Sequence, residues 1–204
     1  MQKAGTIKRV NSPSIMRYAM LIWAAICLVL ASASLNAASI QSIHVHKQGD
    51  AYQVKAHVVM AVTQKTAFDA ATDFAQLPAY SPAIKSERLL GDHKVASKMH
   101  LCVAFFCRTI HQVMRYSTRP DSRLDMQVVP GAGNLKSGSV HWRFQTDGPD
   151  RTTLFFHSSV VPGFWVPPLI GTLAVKHVMK QQMIETAKAV EGLAQAKSKT
   201  AGGS

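Results

Sequence analysis

A chain of 204 residues, 47% apolar and 17% charged, is long enough for one domain with a sizeable core and a short tail. Its net charge of +12 favours anionic surfaces or acidic ligands without specifying a fold. It has no zinc-finger spacing, glycine clamp or aromatic-basic ribonucleoprotein motif, so nucleic acid is not an expected partner.

Residues 1–37 carry Lys3, Lys8, Arg9 and Arg17 and no acid, which leaves 19 − 11 = +8 for the remainder. The stretch MRYAMLIWAAICLVLASASLNAAS has a basic head, an apolar run and a small-residue close, the pattern of a secretory signal. Cleavage is expected after Ala33 or Ala37, and Met16 offers an alternative start. The competing reading is an uncleaved anchor, because Ala19–Leu35 is at the short end for a membrane span. Ile26 before Cys27 argues against a lipoprotein site. The expected location is therefore outside the cytoplasm, in a periplasm, or on the membrane if the segment is retained.

SIHVHKQGDAYQVKAHVVMAV predicts two strands around Lys47–Asp50, with Val54, Ala56, Val58 and Met60 on one face. Thr63 is a candidate N-cap for a helix in which Ala67, Phe68, Ala71 and Phe74 recur at helical spacing. Pro78 and Pro82 break that helix into a corner containing Leu77 and Tyr80. Strands are predicted near 84–90, 95–104, 107–118, 122–129, 138–147 and 152–160, separated by turn residues. In SVHWRFQ, Val140, Trp142 and Phe144 alternate with His141, Arg143 and Gln145, as on an antiparallel sheet with one wet face. A long final helix follows Pro167 and Pro168. Its expected apolar arc runs through Leu169, Leu173, His177, Ile184, Ala187 and Ala194, widened by Met179, Met183 and Val190. Residues 197–204, KSKTAGGS, are expected to be a disordered tail.

Strands, a helical corner, a long meander and a final helix make an α+β layout: a curved antiparallel sheet gripping the C-terminal helix, with space for a cavity between them. Cys102 and Cys107 lie too far apart to bridge on one straight strand, about 17 Å, so a disulfide requires LCVAFFC to be a hairpin tip. The alternative is two buried thiols. His44 and His46 share a strand face, but no third ligand has suggestive spacing, so no metal is expected. No nucleophile motif or carboxylate pair is present. Asp73 and Glu87 read as capping or surface-pairing residues, and His111, His177 and Arg143 are the weak acid–base candidates.

AFDAATDFAQLPAYSPAIKSERLL (67–90), SGSVHWRFQ (137–145) and VPGFWVPPLIGTLAVKHVMKQQM (161–183) resemble the START-like helix-grip (SRPBCC) superfamily, in its coenzyme Q-binding and polyketide cyclase-like branch. The resemblance covers about 40–196 and implies a sheet–helix cavity for a hydrophobic ligand, without identifying it. The expected lining is Tyr80, Met114, Trp142, Phe144, Phe156, Phe164, Trp165, Leu173 and His177. The expected function is an exported binding or carrier protein for a quinone, isoprenoid or lipid-like molecule, with no cofactor. A polyketide cyclase/dehydrase-like enzyme is the alternative, and a protein-interaction module with a filled core the second. Phe164 and Trp165, followed by Lys176 and Lys180, predict peripheral contact with anionic lipid.

Overall fold

Period-two alternation gives each strand one apolar face, and the chain must bring these faces together to bury them. The computed structural model describes residues 38–103, 106–167 and 171–201; the expected signal segment, Phe105, Leu169 and the end of the tail lie outside them. Eight strands are present: β1 Ser39–Gln48, β2 Ala51–Met60, β3 Ile84–Gly91, β4 Lys94–Val103, β5 Phe106–Arg119, β6 Arg123–Val128, β7 Leu135–Thr146 and β8 Thr152–Pro162. Among the described residues three helices accompany them: α1 Gln64–Thr72, α2 Leu77–Tyr80 and α3 Gly171–Ala201.

The strands form one antiparallel sheet in the order β1-β2-β8-β7-β6-β5-β4-β3. The β1–β2 hairpin occupies one edge. α1 and α2 carry the chain to the opposite edge, and the meander from β3 to β8 returns to pair with β2. Gly49, at φ 57°, makes the tight first turn, and Asp92 and His93 both take positive φ in the β3–β4 turn, as a two-residue hairpin loop with right-handed strand twist requires.

Thr63 caps α1, its hydroxyl accepting the Thr66 N–H at 3.2 Å. The helix stops at Thr72, earlier than Pro78 alone demands, because Asp73 leaves helical geometry as the C-cap. Pro78 then starts a single new turn rather than ending an old one. Phe68 and Phe74 from this segment are buried, Phe68 against Phe144 and Phe74 against Tyr116. Each such side chain contributes roughly 1.5–3 kcal/mol on leaving water.

α3 packs on β1 and β2, reaches β4, and touches both shorter helices. Its buried side is Ala187, Val190 and Glu191, flanked by half-buried Met179, Met183 and Ala194. The expected arc is therefore rotated: Leu173 is 82% exposed and His177 is also exposed. A broad apolar arc has two edges, and packing selects the Met179–Met183 edge over the Leu173–His177 edge. The helix also continues to Ala201 beyond the expected end at Ala196; KSKTA contains no Gly or Pro, and Gly202 is the first breaker. Among the described residues no helix is long and apolar enough to cross a bilayer.

Candidate functional site: the inner face of the sheet

Strand alternation turns Val54, Ala56 and Val58 of β2, Leu154 and Phe156 of β8, Trp142 and Phe144 of β7, Leu124 of β6, Met114 of β5 and Val95 of β4 toward the helices. They form three apolar clusters, and Trp142 packs against all three. Its ring lies edge-on to Phe156 at 5.3 Å and stacks with Phe144 at 6.4 Å. The clusters do not fully close this face. Ile110, Met126, Val140 and Trp142, all inward-facing, remain half-buried. The apolar strip between α3 and β5–β7 is thus accessible.

Polar groups on this face are few. Glu87, Ser97 and Gln112 form one cross-strand row over β3, β4 and β5. The Ser97 hydroxyl, itself buried, donates to Glu87 Oε1 at 2.6 Å. Glu87 Oε2 is buried without a hydrogen-bond partner, and burial pushes the carboxyl up to about 7 against the opposing effect of Ser97. Trp142 Nε1 is likewise buried and unpartnered. Buried donors and acceptors are normally satisfied, so these two atoms are open valences on an apolar wall. Sequence reasoning placed Glu87 at the surface; its place on an edge strand's inner face followed from the β3–β4 register, which local pattern does not specify.

The corner after α1 lies on the helix side. Tyr80 lines a cleft of about 230 Å³ with Thr66, Asp69, Ala70, Asp73, Val190, Leu193 and Ala194. Burial raises the Tyr80 hydroxyl above its ordinary value, and Asp73 adds to this. Gln182 of α3 ties the corner down, its Oε1 accepting from Ala83 N at 3.2 Å and Ser81 Oγ at 3.4 Å.

The expected lining residues separate into three groups. Met114, Trp142, Phe144 and Phe156 share the inner face, and Phe164 packs at its edge under the Arg108 guanidinium. Tyr80 lines the helical cleft. Trp165, 67% exposed, and Leu173 and His177 lie in solvent, the last two because of the rotation of α3. The acid–base candidates His111 and Arg143 are also exposed, since each is a strand position of opposite parity to the core residues Met114 and Phe144. Cys102 and Cys107 are bonded directly opposite each other at the β4–β5 tip, with Cα atoms 4.0 Å apart. His100 Nε2 lies 3.4 Å from Cys102 Sγ, but the sulfurs are spent on each other.

The other face of the sheet is basic. Its outward positions hold Lys55 on β2, Arg143 on β7, Arg123 on β6, Arg115 and Arg119 on β5, Lys94 and Lys98 on β4, and Arg88 on β3. His44 and His46 are among seven histidines there, with His57, His100, His111, His141 and His157. Asp125 is the acid among them: burial pushes its carboxyl up, but hydrogen bonds from His141 and Arg123 outweigh this and hold it below the usual carboxylate range.

Residues 51–194 match the protein family described as polyketide cyclase / dehydrase and lipid transport. Among solved structures, the Zhui aromatase/cyclase from a Streptomyces species is similar at a TM-score of 0.58 and 18% identity, covering 76% of this chain and 99% of its own. A START superfamily protein from Mycobacterium smegmatis is similar at 0.55 and 19%, covering 71% of this chain and 97% of its own. A conserved protein from Geobacillus kaustophilus is similar at 0.56 and 14%, covering 69% and 93%. At these identities the likeness concerns the fold. No curated protein matches the chain significantly.

Proposed function

Because the chain belongs to the polyketide cyclase / dehydrase and lipid transport family, we propose that it is an exported carrier for an apolar small molecule of quinone, isoprenoid or lipid-like class, held on the inner face of the sheet. The support is Trp142: the centre of three apolar clusters presents a buried indole N–H with no protein acceptor. A ligand that is mostly apolar and bears one acceptor oxygen satisfies both the surface and the donor. Glu87, pushed up to about 7, offers a second polar contact as a donor when protonated. Export is supported by the secretory pattern of residues 1–37 and by the bonded pair Cys102–Cys107, which suits an oxidising compartment. The exposed Trp165 is the proposed point of contact with the bilayer that supplies the ligand.

A short-chain benzoquinone should quench Trp142 fluorescence saturably, and Trp142→Phe should weaken its binding about tenfold, the worth of one hydrogen bond to a buried group. Undiminished affinity in Trp142→Phe, together with native mass spectrometry showing protein from its own host free of any apolar mass, removes the carrier reading.

One observation favours an enzyme as the second reading. A carboxyl near neutrality beside a buried hydroxyl is suited to moving a proton, as a cyclase or dehydrase requires. Glu87, rather than His111, His177 or Arg143, then carries the proton. Glu87→Gln should abolish turnover of a polyketide substrate while sparing its binding; a carrier shows no turnover to lose.

A further inference from the structure

The ligand reading leaves the outer face of the sheet unused, and its composition is one-sided. Two adjacent cross-strand rows run over it: His44, Lys55, His157, His141 and Asp125 in one, and His57, Phe155, Arg143, Arg123 and Arg119 in the other. Asp125 is already engaged by Arg123 and His141, both at 2.6 Å. The remaining cations have no acid partner among the contacts of the described residues. Like charges placed side by side repel and cost stability. Tolerating them across several strands is understandable if an external anion offsets the repulsion.

We propose that this face docks the protein on an anionic lipid bilayer, with an attraction that grows as pH falls. The charged rows extend from β1 to β5, about 24 Å at the ordinary strand spacing, which matches a plane of headgroups better than a single acidic strand. The loop that carries Trp165 is tied to β5: Gly163 N donates to Asn134 O at 2.8 Å, and Asn134 Oδ1 accepts from His111 N at 3.0 Å. A shallow cleft of about 280 Å³ beside Arg115, Gln127 and Pro130 opens in the same region and is large enough for a headgroup.

The pH dependence rests on His157, which lies in the first of these rows between Lys55 and His141. Facing His157 are Lys55 from β2, His141 from β7 and His46 from β1, with Asp125 of β6 beyond His141. Burial first, and these cationic neighbours second, hold His157 below the ordinary histidine range, so it charges only on acidification. Added anionic phosphate reverses the sign of that local field and favours the protonated form.

The test is sedimentation of the full chain with vesicles of phosphatidylglycerol and phosphatidylcholine, with pure phosphatidylcholine as the baseline for apolar attachment. Lys55→Gln/Arg143→Gln removes two exposed cations and should weaken the phosphatidylglycerol-dependent part about twenty-five-fold, at about fivefold per cation. Its melting temperature should not fall, since like-charge repulsion is relieved, and its benzoquinone affinity should not change, which keeps this test separate from the cavity reading. Wild-type retention should rise between pH 7.5 and 5.5, and His157→Gln should blunt that rise. Undiminished retention of the Lys55/Arg143 variant overturns the proposal. So does a duplex oligonucleotide that displaces the protein from vesicles at equal phosphate, which assigns the face to nucleic acid.

Discussion

Glu191 of α3 accepts the Ala61 N–H on Oε1 at 2.6 Å, 130 positions away, and the Ala38 N–H on Oε2 at 3.0 Å. One buried carboxylate thus satisfies the backbone at the start of β1 and just past the end of β2, and fixes the helix over that edge of the sheet. Glu191→Ala leaves two donors without a partner and should cost about 2–4 kcal/mol. Glu191→Gln can accept at one of the two and should recover part of that. Urea unfolding measures both, and a Glu191→Ala variant within about 0.5 kcal/mol of wild type would show that water replaces the carboxylate without loss.

Glu87 should make stability fall with rising pH. Its folded value of about 7 lies above the ordinary 4.5, so the folded chain holds the proton more tightly than the unfolded chain. The contribution is fully present below about 4.5, declines between 4.5 and 7, and is lost above. Glu87→Gln keeps an acceptor for Ser97 and removes the charge, so its melting temperature should gain on wild type across that window. A difference that does not vary with pH contradicts the burial of the carboxylate.

Trp142 contributes ring area to three clusters but leaves its N–H unpaired. Trp142→Ala should therefore cost about 3–5 kcal/mol. Trp142→Phe, which deletes the unsatisfied donor along with a little volume, should cost under about 1.5 kcal/mol. Equal losses in guanidinium unfolding would mean that the N–H is satisfied in the free protein.

Reduction of Cys102–Cys107 should cost only about 2 kcal/mol, because the loop closed by a separation of 5 has little entropy to lose. Thiol titration of the unfolded, unreduced chain should find a single free thiol, Cys27, when the N-terminal segment is retained, and none when it is removed. Three free thiols in the retained chain would discard the bridge.

Trp165, 67% exposed, should shift its emission to the blue on anionic vesicles when Trp23 and Trp142 are replaced by Phe. Trp165→Ala should slow ligand transfer between vesicles while changing the unfolding free energy by under about 0.5 kcal/mol. A large stability loss without a spectral change places this loop in the core.

The sequence by itself determined the strand series, the Thr63 cap and the inward set Val54, Ala56, Val58, Trp142 and Phe144, because alternation and capping are local and need only the neighbouring residues. It also made the disulfide conditional on a hairpin at Cys102–Cys107, a matter of chain reach. Tertiary structure decided which edge of the α3 arc is buried, and so put Leu173 and His177 in solvent while burying Glu191. A helical wheel carries no information about the partner surface, and a buried glutamate looks like any solvated one until the N–H groups of Ala38 and Ala61 are brought to it. The same holds for Glu87, whose row with Ser97 and Gln112 exists only through pairing across three strands, and for the basic outer face, which no single strand reveals because its charges come from six of them.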